Sequence, residues 1–281
     1  MSKTFTKMNE AGDGVCIVVD SLNLGFRYAH KKDLHFKEDY IRTVESLKKS
    51  YKASQVIILS DWGSSTYRKE IYPEYKQNRK EKQEQQSPEE AAYFEKFFEE
   101  YLRIIEYYQT ESSYPTFRFK GVEADDIAAY IVAKRKEFGF KEIWNISSDR
   151  DWDTLCQPKV SRFSYVTRKE ITYENWSEHY PDWGVEDYIS IKCLQGDSGD
   201  NVPGVPKIGP KTAAKLVAEY GSALDIADAI PLPGKYVYIK NLNEFGAENI
   251  RRNYYLMDLI SFCDEAIGKE NIKEIKNVLS V

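Results

Sequence analysis

Two runs of apolar residues that each end on an aspartate constrain this chain more than any other feature. VCIVVD closes at Asp20 and QVIILSD closes at Asp61, and between them Ile41, Val44, Leu47 and the stem of Lys48 recur at helical spacing. Short continuous apolar runs fit strands covered on both faces, so this stretch reads as strand, helix, strand. Further strand patterns follow at TFRFKG (116 to 121), EIWNIS (142 to 147) and SRFSYVT (161 to 167), with a helix after the first whose apolar face is Ile127, Tyr130, Ile131 and the stem of Lys134. Strands alternating with helices predict an α/β layer with a mainly parallel central sheet flanked by helices. Ligands of such sheets lie outside the carboxyl ends of the strands.

The chain has 281 residues, 42% hydrophobic and 30% charged, enough to bury a large core and too apolar for disorder as the main state. Its longest apolar run, from Val15 to Val19, is far short of the roughly 18 residues of a spanning helix. The start MSKTFTKMNEAGDG also lacks the apolar stretch of a signal peptide. Four scattered cysteines, Cys16, Cys156, Cys193 and Cys263, fit reduced, buried thiols rather than a disulfide framework or zinc cage. A soluble protein of a cytoplasm-like compartment is expected.

A net charge of −5 ordinarily argues against a polyanionic partner, yet the charge is unevenly placed. From Thr66 to Lys82 the bases Arg68, Lys69, Lys76, Arg79, Lys80 and Lys82 outnumber Glu70, Glu74 and Glu81, and from Val205 to Lys215 there are lysines and no acid. Ser87, Pro88 and Glu90 then supply the N-cap, first-turn proline and capping-box acid of a long helix. On that helix Tyr93, Phe94, Phe97, Phe98 and Tyr101 are read as core contacts. Beyond about residue 190 strand signals give way to helices with Gly and Pro turns, which divides the chain into an α/β domain (1–190) and a helical subdomain (191–281).

Acids collect where the strands end. Asp20 and Asp61 follow strands directly, although turn formation is the commoner reason for any single Asp there. Glu123, Asp125 and Asp126 (GVEADD) open a helix, where capping and the helix dipole favour acids. Three in four residues exceed what a cap requires, and a divalent cation is the simplest way to keep them ionised. In SSDRDWDTL, Asp149 and Asp151 have a spacing that can turn two carboxylates toward a hard cation such as Mg²⁺, although a solvated turn is the default reading, with Asp153 the weakest of the three. QGDSGDNVPG adds Asp197 and Asp200 in a Gly-rich turn. GVPKIGPKTAAK departs from a nucleotide-binding P-loop, because Pro210 interrupts the pattern and no strand precedes it; it reads either as a turn and a helix offering free N–H groups, Lys207, Lys211 and Lys215 to phosphates or as an ordinary capped helix with a basic face. The three histidines, His30, His35 and His179, lack ligand spacing.

Taken in order, VVDSLNLGFR, YPEYKQNRKEK, GVEADD, SSDRDWDTL and GDSGDNVPGVPKIGPKTAAK resemble the 5′ nuclease superfamily, most closely the bacteriophage-type flap endonuclease and 5′-3′ exonuclease enzymes, over about residues 15 to 260. The resemblance implies a PIN-like fold with a helical arch (about 66–110) and a C-terminal helix-hairpin-helix-like element. It assigns Asp20, Asp61, Glu123, Asp125 and Asp126 to one metal site and Asp149, Asp151, Asp197 and Asp200 to a second. Setting those nine acids aside turns the net charge positive. Lys76 and Arg79 take the place of arch bases that approach the scissile phosphate, and Tyr75 that of an aromatic stacking on a nucleobase. Arg27, Arg68, Lys192, Gly204, Lys207, Gly209, Lys211, Thr212 and Lys215 join the DNA-binding set, with a potassium ion at the hairpin. Ser21, Ser148 and Lys207 stand where such families often have Gly, and a glycine-permissive backbone angle is expected at Lys207.

The function so implied is Mg²⁺-dependent hydrolysis of DNA phosphodiesters at 5′ flaps and 5′ ends, in replication or repair, by two ions about 3.5 to 4 Å apart, with Mn²⁺ as a substitute. Expected partners are DNA with a 5′ flap, overhang or nick, met by a monomer in the host-cell cytoplasm and away from any membrane. Two alternatives are a degenerate DNA-junction-binding protein and a haloacid-dehalogenase-type phosphatase. The latter needs a DxD directly after the first strand, where Ser21-Leu22-Asn23 stands instead.

Overall fold

The computed structural model describes residues 14–32 and 34–280, so the stretch 1–13, in which no signal-peptide pattern was read, lies outside the described residues. In chain order the elements are β1 (Val15–Asp20), α1 (Ser21–His30), α2 (Lys37–Ser50), β2 (Gln55–Leu59), α3 (Thr66–Ile71), α4 (Gln77–Glu84), α5 (Pro88–Thr110), β3 (Thr116–Phe117), α6 (Ala124–Ala133) and β4 (Glu142–Ile146). A 3₁₀ turn (Arg150–Leu155) follows, then β5 (Val160–Ser164), β6 (Lys169–Ile171), α7 (Trp176–His179), α8 (Tyr188–Gln195), α9 (Pro210–Tyr220), α10 (Ala223–Ala229), α11 (Val237–Phe245), α12 (Ala247–Met257), α13 (Leu259–Ile267) and α14 (Lys269–Leu279).

The six strands lie in the order β3-β2-β1-β4-β5-β6, the first five parallel and β6 antiparallel to β5. Because β1 is buried at every position, its alternating side chains feed two cores. Val15, Ile17 and Val19 pack with Tyr40, Val44, Phe97 and Ile104 of α2 and α5. Cys16 and Val18 pack with Ile127 and Ile131 of α6 and, further out, with Leu259, Cys263, Ile275 and Leu279 of α13 and α14. The last two helices therefore belong to the core under the sheet. A separate core holds α8 to α12, through Ile191, Leu194, Leu216, Ile226, Leu242 and Ile250. The chain order reverses between β1 and β4, which places the ligand crevice at their carboxyl ends.

Several expectations change in detail. TFRFKG gives only the two residues of β3, because the chain turns away at Gly121 (φ +74°), whose N–H donates to Trp62 O at 2.8 Å. The β5–β6 hairpin turns through Arg168 at φ +58°, a position with no glycine to announce it. The capping box at Ser87 and Glu90 is formed. Of the stretch expected as an arch (about 66–110), the part of α5 from Phe97 onward packs into the core through Phe97, Tyr101, Ile104, Ile105 and Tyr108, and Phe98 is 40% exposed rather than a core residue. All four cysteines are buried and unpaired. No helix among the described residues is long and apolar enough to cross a membrane.

Candidate active site

Each acid reaches the crevice for a local reason. Asp20 ends β1 and N-caps α1: one oxygen accepts from Asn23 N at 3.1 Å and the other from Ser147 Oγ at 2.8 Å. Asp61, just past β2, accepts from Ala124 N at 2.6 Å and so fixes the start of α6. Asp125, in the first turn of α6, accepts from the buried Trp152 indole N–H at 2.6 Å. Asp149 caps the 3₁₀ turn by accepting from Asp151 N at 3.0 Å, and Asp197 accepts from Gly199 N and Asp200 N at 2.8 and 3.2 Å in the turn after α8.

Their protonation reports the crowding. Burial, reinforced by the charge of Asp61, pushes Asp20 up to about 8. Burial likewise raises Asp61, and burial together with the charge of Asp149 raises Asp125. Asp149 is raised by desolvation and by Asp151. Glu123 goes the other way: burial would raise it, but Lys76 and Arg68 together hold it at about 2.

Two lysines stand among these acids. Lys76 Nζ lies 2.8 Å from Glu123 Oε1 and 3.7 Å from Asp200 Oδ2, while Lys192 Nζ bonds Asp151 and lies 3.6 Å from Asp197. Among the described residues no three His, Cys, Asp or Glu side chains already converge as a metal cage. The donor set is nevertheless all oxygen and strongly acidic, and its carboxylates draw protons and ammonium groups to offset their repulsion. That chemistry fits hard divalent cations. Asp125, Asp151, Asp197 and Asp200 line one small cavity of about 20 Å³ with Lys192. A larger opening of about 540 Å³, lined by Asp61, Glu123, Lys76, Arg79 and Lys80, lies beneath α4.

A family model described as 5′-3′ exonuclease, N-terminal resolvase-like domain, matches residues 16–181, and one described as 5′-3′ exonuclease, C-terminal SAM fold, matches residues 184–275. The chain belongs to the 5′-3′ exonuclease family. It is 46% identical over 255 residues to the flap endonuclease of Escherichia phage T5, covering 90% of this chain and 86% of that protein. The flap endonuclease Xni of Shewanella oneidensis is 28% identical over 250 residues, 86% of this chain and 88% of that one. A T5 5′-exonuclease with divalent metal ions (zinc) bound superposes with a TM-score of 0.89 at 44% identity, covering 94% of this chain and 98% of that one. The T5 D15 flap endonuclease in a pseudo-enzyme-product complex with DNA and metal ions gives 0.88 at 43% identity, covering 95% and 100%.

Within this 5′-3′ exonuclease, four of the assigned residues sit differently from expectation. Asp126 is 1% exposed and accepts two bonds from Arg68, at 2.7 and 2.8 Å, so its carboxylate is taken up by an arginine that stands between it and Glu123. Arg68, 3% exposed, also donates to Leu256 O at 3.0 Å and lies 3.5 Å from Glu123 Oε2, so its guanidinium is turned inward among carboxylates rather than presented at the surface. The ring of Tyr75 is buried and its hydroxyl lies 3.0 Å from Glu123 Oε2 and 2.8 Å from Asp200 Oδ2, so it does not present a stacking face. Lys192 faces carboxylates rather than solvent. Asp153 is held by Arg162 through two bonds and by the Tyr180 hydroxyl, and so stands outside the cluster.

The other assignments lie at surfaces. Lys76 and Arg79 reach the acid cluster from the foot of α4, both beside Asp200. Lys207, Lys211 and Lys215 are exposed, Thr212 is half-buried, and Gly209 caps α9 with open space where a side chain would stand. Gly204 has a packing role, since a Cβ there would meet Gln195 O at 1.8 Å. Arg27 stacks over Tyr165 at 4.4 Å, away from the acids. Trp152 escaped sequence reasoning; its position in SSDRDWDTL, between two of the motif's acids, was the available signal.

Proposed function

We propose that this 5′ nuclease hydrolyses DNA phosphodiesters at 5′ flaps and 5′ ends using Mg²⁺, with Mn²⁺ as a substitute. The observation that carries the reading is the gathering of acids from β1, β2, α6, the 3₁₀ turn and the turn after α8 around Lys76 and Lys192, beneath a basic arch. Asp20, Asp61, Glu123 and Asp125 would hold one ion and Asp149, Asp151, Asp197 and Asp200 a second. Two such ions supply Lewis acidity at the attacking and leaving oxygens of an in-line displacement.

The chain's own residues do the rest. Lys76 and Arg79, at the foot of α4, place positive charge beside the acids where phosphate charge develops. Trp152 and Ser147 orient Asp125 and Asp20 by donating to one oxygen of each. Lys207, Lys211 and Lys215, with the first N–H groups of α9, hold duplex phosphates in register without reading bases, and a potassium ion at this element would add to the grip. DNA with a flap, overhang or nick is engaged by a monomer. Asp20, bonded through both oxygens as a helix cap, is poorly placed as the nucleophile of a phosphatase.

The deciding assay uses a 5′-labelled flap duplex with Mg²⁺ or Mn²⁺. Wild type releases the flap and Asp149→Asn does not; an intact flap with both metals, or equal cutting by the variant, ends the reading.

A further inference from the structure

A cavity of about 690 Å³ lies outside the acid cluster, none of whose carboxylates lines it. It opens between α1, α2 and the β5–β6 hairpin, over a floor that includes Tyr51 and Phe163. Cations dominate its rim. Arg27 lies 4.4 Å and Arg168 4.8 Å from the centroid of the Tyr165 ring, so a guanidinium–phenol stack forms one wall. Lys31 and Arg42 stand on the helical side, and Ser46 offers a hydroxyl between them and the floor. Two acids are present and both are engaged: Asp39 with Arg42, and Glu170 with the Tyr51 hydroxyl at 3.1 Å.

We propose that this cavity is a nucleotide-binding subsite. Arg27, Lys31 and Arg168 provide cations for a phosphate, and guanidinium planes already stacked on a ring extend readily to a planar base. The volume suits a single nucleotide, within the ordinary range of about 300–1,000 Å³ for small-ligand sites. The wall is also coupled to the reaction centre. β5 ends at Ser164, whose Oγ lies 3.1 Å from Ser148 Oγ, and Val166 N donates to that same hydroxyl at 3.1 Å, one residue before Asp149. Arg27 is seven residues along α1 from Asp20, about 10 Å at the helical rise. A strand leaving the acids toward β5 would bring a nucleotide to this cavity. The ligand is either such a unit of DNA or a free nucleoside monophosphate, and only the first source rests on the nuclease reading.

Calorimetric titration of the metal-free protein in EDTA with thymidine 5′-monophosphate tests the site. Wild type binds the monophosphate more tightly than thymidine or inorganic phosphate. Ser46→Trp, which fills the cavity without changing its charge, and Arg168→Gly, which removes a guanidinium at a backbone angle of φ +58° that glycine accepts, each weaken binding at least tenfold. No binding by wild type, or equal binding by both variants, overturns the proposal; should Ser46→Trp fail to fold by circular dichroism, Arg168→Gly decides alone. Flap-DNA kinetics then separate the sources. A KM raised at least threefold in the same variants assigns the site to a nucleotide of the DNA, and an unaltered KM with monophosphate binding lost assigns it to the free nucleotide. A wild type that binds the monophosphate but leaves the flap intact sinks the nuclease reading and leaves the subsite standing.

Discussion

Asp125 and Asp126 are neighbours in sequence and opposites in environment. Successive helix positions differ by about 100°, so one carboxylate turns to the crevice and Trp152 while the other turns to Arg68, 58 residues away in the chain. Arg68→Ala leaves Asp126 buried without its partner, and unfolding by denaturant is expected to show a loss of about 3–5 kcal/mol. The double variant Arg68→Ala, Asp126→Ala should recover part of that loss; strict additivity would show that the pair is not coupled. Trp152→Phe keeps the buried ring and deletes the donor to Asp125, so Mn²⁺ binding should weaken about tenfold with little change in melting. An unaltered titration would remove Trp152 from the site. The sequence makes GVEADD legible as an acid cluster but not which acid serves it, because that choice is made by a partner on another element. The same holds for Tyr75 and Lys192, whose residue types suit DNA contact while their burial among Glu123, Asp151 and Asp200 directs them inward.

At the scale of elements, what was legible is what local chemistry determines. Ser87, Pro88 and Glu90 define the start of α5, and the apolar runs define β1, β2 and β4. β3 and the β5–β6 turn were less legible because tertiary contacts end the one and a non-glycine left-handed residue makes the other. Lys207 belongs to this class, with φ +67° where a glycine-permissive angle was anticipated. Left-handed backbone costs a non-glycine residue about 1–2 kcal/mol, and glycine's extra chain entropy returns about 0.4–1 of it. Lys207→Gly should therefore stabilise the protein by between about 0 and 1.6 kcal/mol in thermal melting while weakening duplex binding through the lost cation. A lower melting temperature would mean that the lysine side chain, and not the turn, matters to folding.

Across the whole molecule, the arch foot is clamped to both cores at once. Arg68 on α3 joins Asp126 of α6 to Leu256 O of α12, and Tyr75 joins Glu123 to Asp200. Bases on the arch are thereby held at fixed distance from the acids, whereas the lysines around α9 belong to the other helical core and meet solvent. Binding and turnover should separate along that division. Lys76→Ala removes the ammonium 2.8 Å from Glu123 and should lower kcat on flap DNA by at least tenfold with a smaller change in Kd. Lys211→Ala removes one exposed phosphate contact and should raise Kd more than it lowers kcat, reducing the slope of log K against log salt by about 0.9. Measuring both variants across a salt series sets one against the other: a slope that changes equally in the two would place Lys76 on the DNA backbone far from the reaction, and the clamp would then have no bearing on chemistry.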